Sequence, residues 1–430
     1  MKKINIITLG CSKNIVDSER LAMQLQQGGY LLLHNSPQPA RITIINTCGF
    51  INDAKEEAID TILQCVQAKQ RGEIEQLFVM GCLVQRYADA LRKEIPEVDE
   101  YFGVNSFAAI LQQLNAAQRD ALHTQRLIST PQHYAYLKVA EGCNWHCGYC
   151  AIPLIRGKYV STPLPDLLQE ATSLAGQGVR ELMLVAQDLT YYGLDLYHKR
   201  SIAPLVHSLS QIEGIEWLRL HYGYPTQFPR DLIDEMHDNP KVCKYLDIPF
   251  QHINDGVLQR MQRGHSQKDI LNLIETLRRR CPDVALRTTL LVGYPNEDEA
   301  AFEELLRFVQ DVRFERLGVF AYSEEDGTHA ATHYADNVPA AEKQRRCDEV
   351  MRLQSRISAQ LNEAKVGKTF RVIADRIEGK YTIARTQYDS PEVDGEVLIA
   401  DTSLQAGAFY QVTITSANEF DLFGELRVEN

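Results

Sequence analysis

Apolar and polar positions in the first 125 residues follow two alternating periods. Short apolar runs at 4–9, 42–47 and 76–80 read as buried strands. Each precedes a stretch of helical period: one carrying Leu21, Met23 and Leu25, one at about 52–69, and one at about 84–93. Residues 99–103 suggest a short fourth strand, before a helix starting near Ser106. Such alternation predicts a parallel sheet with helices on its faces. The polar stretch 115–132, with Pro131, reads as a linker.

The pattern then repeats at larger scale. Strands are predicted near Tyr136 and at 181–186, 217–221, 245–248, 285–292 and 316–320. Amphipathic stretches at 167–175, 205–212, 232–237, 270–279 and 302–309 separate them. About six βα units predict a partial or complete α/β barrel, whose chemistry sits at the carboxyl ends of its strands. A charged helix at 342–365 follows Pro339. The tail changes character: 370–375, 381–386, 396–400, 409–416 and 425–428 are β-rich and separated by turn signals such as Asp394-Gly395. They predict a small antiparallel barrel. The fold class is therefore multidomain α/β, with units at 1–120, 133–365 and 366–430.

Composition narrows the setting. No apolar run approaches a membrane span, and the N-terminal stretch is too short for a signal peptide, so a cytoplasmic location is expected. The 10 Cys then read as ligands or core thiols, not disulfides. The net charge of −12 opposes phosphate in bulk and favours a basic partner.

Three of these thiols stand within eight residues, Cys143, Cys147 and Cys150, after the strand near Tyr136 and the turn at Gly142. Converging thiolates make a soft site for an iron–sulfur cluster or zinc. A structural zinc wants four ligands, and only His146, inside the loop, could supply a fourth. Three others, Cys11, Cys48 and Cys82, share one position: the carboxyl end of a predicted strand, just before a helix. Open parallel sheets bind ligands outside those ends, and helix N-termini there favour thiolate. A second three-thiolate site is expected. Cys65, Cys243, Cys281 and Cys347 read as core residues. Polar residues at later strand ends (Gln187, His221, Tyr222, Gln251, His252, and the turn 293–297) would line one rim. Arg287 lies on an otherwise apolar strand.

The spacing C-x3-C-x2-C with Tyr149 before the last Cys resembles the radical S-adenosylmethionine signature. The resemblance implies a six-unit barrel open at one side, and a four-iron–four-sulfur cluster on Cys143, Cys147 and Cys150. An open iron of that cluster would bind S-adenosylmethionine, with Tyr149 near the adenine. Gln187, Arg287, Gly293 and Glu297 are implied as further S-adenosylmethionine contacts, although Asn296 and Asp298 stand where the family more often has Gly and Thr.

The stretches Gly10-Cys11-Ser12-Lys13-Asn14, Cys48-Gly49-Phe50-Ile51 and Gly81-Cys82-Leu83-Val84-Gln85-Arg86-Tyr87 are similar to the methylthiotransferase family. They look like its branch that modifies a ribosomal protein. That implies a second four-iron–four-sulfur cluster on Cys11, Cys48 and Cys82, and methylthiolation of an aspartate β-carbon in small-subunit ribosomal protein S-twelve. It also implies an electron donor such as flavodoxin or ferredoxin. The run from Arg385 to Gly395 is similar to the TRAM domain. TRAM domains often bind RNA, but this one carries 6 Lys and Arg against 11 Asp and Glu. It is expected to dock a basic protein surface instead of RNA. A transfer-RNA methylthiotransferase and a non-catalytic metal-binding module on the ribosome remain as alternatives.

Overall fold

The computed structural model describes residues 2–38 and 40–427. The N-terminal unit runs β1 (Lys3–Thr8), α1 (Ser12–Gln27), β2 (Leu31–His34), β3 (Ile42–Thr47), α2 (Asn52–Gln70), β4 (Gln76–Gly81), α3 (Cys82–Glu94), β5 (Glu100–Phe102) and α4 (Phe107–Gln113). Its five strands form a wholly parallel sheet in the order β2-β1-β3-β4-β5. Ile4, Ile6, Ile44 and Phe78 pack on one face, and Ile45, Leu77 and Val79 on the other. β2 is not predicted by periodicity. It is a four-residue edge strand, only partly buried, so no alternation marks it.

The segment from 115 to 132 is less of a linker than its composition suggests. Arg126 in it is fully buried and ion-paired to Glu19 of α1 at 3.2 Å and to Glu170 at 3.0 Å. Ser129 donates from its amide to Glu19 at 2.7 Å.

The middle unit contains β6 (Tyr134–Lys138), β7 (Ala140–Glu141), α5 (Ile152–Arg156), β8 (Val160–Ser161), α6 (Leu164–Gly176), β9 (Glu181–Val185), α7 (Ile202–Ser210), β10 (Trp217–Leu220) and α8 (Arg230–Asp238). It continues with β11 (Val242–Asp247), α9 (Asp255–Arg260), α10 (Gln267–Arg280), β12 (Ala285–Val292), α11 (Glu299–Val312), β13 (Arg316–Ala321), α12 (His329–His333) and α13 (Ala340–Glu363). Its parallel sheet has the order β13-β12-β11-β10-β9-β6. Among the described residues β13 and β6 do not pair, so the sheet is a partial, open (β/α) barrel. Leu137, Leu184, Leu220, Leu246, Leu286 and Leu290 are buried between its strands and the surrounding helices.

The last unit comprises β14 (Thr369–Glu378), β15 (Tyr381–Thr386), β16 (Val397–Ile399), β17 (Phe409–Ala417) and β18 (Leu422–Leu426), closed in the order β14-β15-β16-β18-β17. Two expectations are corrected here. The barrel is not purely antiparallel, because β16 and β18 pair in parallel to close it. The last strand begins three residues before the expected 425–428, and Val428 lies outside the described residues. Gly424 lies inside the strand, where a Cβ would stand 2.5 Å from Val412, so the glycine permits a close crossing of strands.

A buried ion network joins this barrel to the sheet. Glu181 of β9 accepts from Arg219 of β10 at 2.7 Å and from Arg385 of β15 at 2.8 Å. Arg385 also donates to Asp375 at 2.6 Å. Asp389 and Asp394 of the barrel meet Arg316 and Arg287 of the sheet. Three of the barrel's acids thus face inward, which reduces the acidic surface read from composition.

Candidate functional site

β1, β3 and β4 are adjacent in the first sheet, and their carboxyl ends lead into Cys11, Cys48 and Cys82. Gly10, at φ +86°, lets the first of these turns close: a Cβ there would stand 2.5 Å from the Cys48 Cβ. The loop from Cys143 to Cys150 leaves the second sheet between β7 and α5. All six Cys line one cavity of about 330 Å³, and none is in a disulfide. His146 is exposed and does not line it. Among the described residues no three His, Cys, Asp or Glu side chains gather as a site for a single metal ion.

The thiols crowd one another. Burial and then Cys11 push the Cys48 thiol up, despite amide donation from Gly49 and Phe50. Burial raises Cys82 to about 11 against the lowering effect of Arg156, and burial raises Cys143 to about 12. Cys150 rises further for the same reason and beside Cys147. This corrects the expectation that helix N-termini would favour thiolate at Cys48 and Cys82. Desolvation of these thiols outweighs the backbone field. A cluster's iron would supply positive charge there, and six free cysteines lining one cavity fit that role.

The radical loop is clamped. Trp145 stacks on Tyr224 with ring centroids 4.1 Å apart, and its indole donates to Asp188 at 2.7 Å. The Gly148 amide donates to the Met261 carbonyl at 2.7 Å, and its carbonyl accepts from Ala330 at 2.7 Å. Arg263 donates to Cys147 Sγ at 3.4 Å, to Tyr149 Oη at 3.1 Å and to the Pro249 carbonyl at 2.5 Å.

Arg156, at the end of α5, reaches from the middle unit to the Cys82 side of the cavity. It donates to Asp17 at 2.8 Å, to Glu141 at 3.0 Å, to Asn14 Oδ1 at 2.5 Å and to Cys82 Sγ at 3.5 Å. Lys138 also contacts Asp17, and Glu141 at 2.7 Å.

Of the other expected site residues, Tyr149 and Gln187 line the cavity. Arg287, Gly293 and Glu297 are not brought to it. Arg287 pairs with Asp247 at 3.3 Å and Asp394 at 3.4 Å. Gly293 makes room for Lys343, whose Cγ would lie 2.3 Å from an added Cβ. Glu297 accepts from the Tyr294 amide at 3.1 Å and from Arg346 at 2.9 Å. Glu297 and Gly293 thus serve the turn and the packing of α13, and Arg287 ties β12 to β11 and to the barrel. Sequence reasoning missed Arg263, which nothing local distinguishes from a solvent-facing arginine, and Thr289, hidden in an apolar strand. Tyr222 and Gln251, both lining the cavity, have φ of 63° and 70°. Left-handed backbone at non-glycine residues is concentrated at functional sites.

Family models match three parts of the chain. "Uncharacterized protein family UPF0004" matches residues 3–103, "Radical SAM superfamily" 137–309 and "TRAM domain" 366–426. The ribosomal protein uS12 methylthiotransferase RimO of Bacteroides fragilis is 52% identical over 428 residues, 99% of either chain. That of Christiangramia forsetii is 51% identical over 98% of this chain and 94% of its own. The chain belongs to the RimO family. It is a radical S-adenosylmethionine methylthiotransferase, and membership implies S-adenosylmethionine and a four-iron–four-sulfur cluster. Solved structures agree on fold. The radical S-adenosylmethionine methyltransferase TsrM from Kitasatospora setae superposes with a TM-score of 0.57 at 13% identity, over 77% of each chain. The cobalamin-dependent enzyme OxsB gives 0.52 at 10% identity, over 82% of this chain and 56% of its own. No helix among the described residues of this methylthiotransferase is long and apolar enough to cross a membrane.

Proposed function

We propose that this methylthiotransferase attaches a methylthio group to the β-carbon of an aspartate in ribosomal protein uS12, using two four-iron–four-sulfur clusters. Cys143, Cys147 and Cys150 would hold one and Cys11, Cys48 and Cys82 the other. The observation that carries the reading is the convergence of both thiol groups on a single cavity, supported by full-length relatives that bear that activity in their names. When bound, the clusters and S-adenosylmethionine supply a radical able to take hydrogen from an unactivated carbon, and the sulfur to replace it.

The chain's own residues bind, orient and exclude water. Tyr149, Gln187 and Arg263 border the radical loop and are assigned to S-adenosylmethionine. Phe50, Ile152 and Trp145 add apolar wall around the thiols, which protects a reactive intermediate from side reactions. Arg156, Lys138, Asp17 and Glu141 form a charge-balanced partition that holds the two units in register. Acids still on the barrel's outer surface, such as Glu392 and Glu419, are read as a docking face for a basic ribosomal protein, delivered electrons by a flavodoxin or ferredoxin in the cytoplasm. RNA binding by the barrel is not expected.

The test is anaerobic turnover with reconstituted enzyme, S-adenosylmethionine and a reductant, offering small ribosomal subunits and bulk transfer RNA separately. The expected result is a methylthio-for-hydrogen mass shift on an aspartate of uS12. A shift on transfer-RNA adenosine instead would refute the substrate.

A further inference from the structure

Lys13 is the second residue of α1 and directly follows the Cys11 turn. Its side chain lies in the same cavity as the six Cys, and only 9% of the residue is exposed. Nζ sits 3.7 Å from the centre of the Tyr222 ring. Among the described residues, no carboxylate lies within ion-pairing distance of Nζ and no acceptor takes a hydrogen bond from it. Asp17 and Glu141 are engaged by Lys138 and Arg156, and Asp247 meets Arg287 through Oδ2, feeling Lys13 only through space.

This is a costly arrangement. An ammonium on a largely buried side chain is disfavoured without a counter-charge. A helix N-terminus adds positive potential of its own, and the first turn of α1 carries no acid to offset it. The tyrosine face recovers only part of the loss. Tyr222 holds its ring there from a left-handed backbone conformation, a further local cost. A lysine, a helix N-terminus and a strained residue together make an anion site facing the cavity.

The radical loop has a separate cation of its own, Arg263, 3.4 Å from Cys147 Sγ. Lys13 rises instead from the helix that begins just after Cys11, and its Nζ enters the cavity against Tyr222. The target carbon must be reachable from both thiol groups, so the substrate side chain has to lie between them. Resting on the aspartate reading above, we propose that Lys13 Nζ receives the side-chain carboxylate of the substrate aspartate and thereby selects a carboxylate over its neutral isosteres. The carboxylate is one bond from the β-carbon. A charge-assisted contact of about 2.8 Å therefore fixes that carbon with little freedom. Tyr222 keeps the ammonium aimed into the cavity.

The test compares kcat/KM for uS12 with its aspartate against uS12 in which that aspartate is replaced by asparagine, on the reconstituted holoenzyme and on Lys13→Met and Lys13→Arg. Asparagine keeps the β-hydrogens and the shape but not the charge. The ratio is internally controlled, because partial cluster loading or partial unfolding scales both substrates alike. The parent enzyme is expected to prefer aspartate. Lys13→Met should lose about tenfold to a hundredfold of that preference, the range for one charge-assisted hydrogen bond. Lys13→Arg should keep the larger part. An unchanged ratio in Lys13→Met overturns the assignment, as does equal loss in both variants, which would mean that the lysine acts through shape. A parent enzyme that modifies neither protein overturns the aspartate reading itself, a result distinct from failure of Lys13 alone.

Discussion

Arg156→Met removes the centre of the ion cluster that joins the N-terminal and middle units. The guanidinium is 2% exposed, and its partners Asp17 and Glu141 are 7% and 17% exposed. Removing one partner of a buried ion pair costs about 3–5 kcal/mol, because the remaining charge is left uncompensated. Lys138 still contacts both carboxylates, so the lower end applies, about 3 kcal/mol. Methionine keeps the apolar stem but restores none of the bonds to Asp17, Glu141 and Asn14. Urea unfolding of cofactor-free protein, followed by Trp fluorescence, measures the loss, since both Trp residues, Trp145 and Trp217, lie in the middle unit. Pairing the variant with Asp17→Asn in a double-mutant cycle isolates the Arg156–Asp17 coupling, expected at about 1–3 kcal/mol. The pH dependence has a definite sign. Burial opposes ionisation of Asp17 and Glu141, but Lys138 and Arg156 together hold both carboxyls below the ordinary range. A depressed carboxylate contributes stability above its unfolded pKa and loses it as pH falls through its folded value. The gap between parent and variant should therefore be full at neutral pH and narrow in acid. A loss under about 1 kcal/mol at neutral pH, or a gap that persists in acid, would refute the reasoning.

Replacing Cys143, Cys147 or Cys150 by Ala should abolish 5′-deoxyadenosine formation, read by chromatography; Cys48→Ala should spare that cleavage but stop sulfur transfer, and normal methylthiolation by it would sink the two-cluster assignment. Gly10→Ala forces a Cβ to within 2.9 Å of Cys48 Sγ from a φ of +86°, and should lower iron content after reconstitution by about half, leaving only the radical-loop cluster. Arg385→Ala removes one partner each from Glu181 and Asp375, which keep Arg219 and His133, and should cost about 3 kcal/mol in urea unfolding.

Which of these features could be read from the chain alone follows from the range of the forces involved. Period, glycine placement and thiol spacing are local, and they determined the three units, the strands that end at Cys11, Cys48 and Cys82, and the thiol loop. Side-chain pairing is not local. Arg156 meets Asp17 across 139 positions, and Arg385 meets Glu181 across 204. Only the tertiary structure decided that Glu297 serves Arg346, that Arg287 serves Asp247 and Asp394, and that Arg263 reaches the radical loop. β2 and the parallel closure of the barrel were equally silent, because an edge strand is half wet and a pairing direction leaves no period. Lys13 shows the division most sharply. Its neighbours in sequence mark it as part of a cysteine motif, but its want of a counter-ion is a property of everything folded around it.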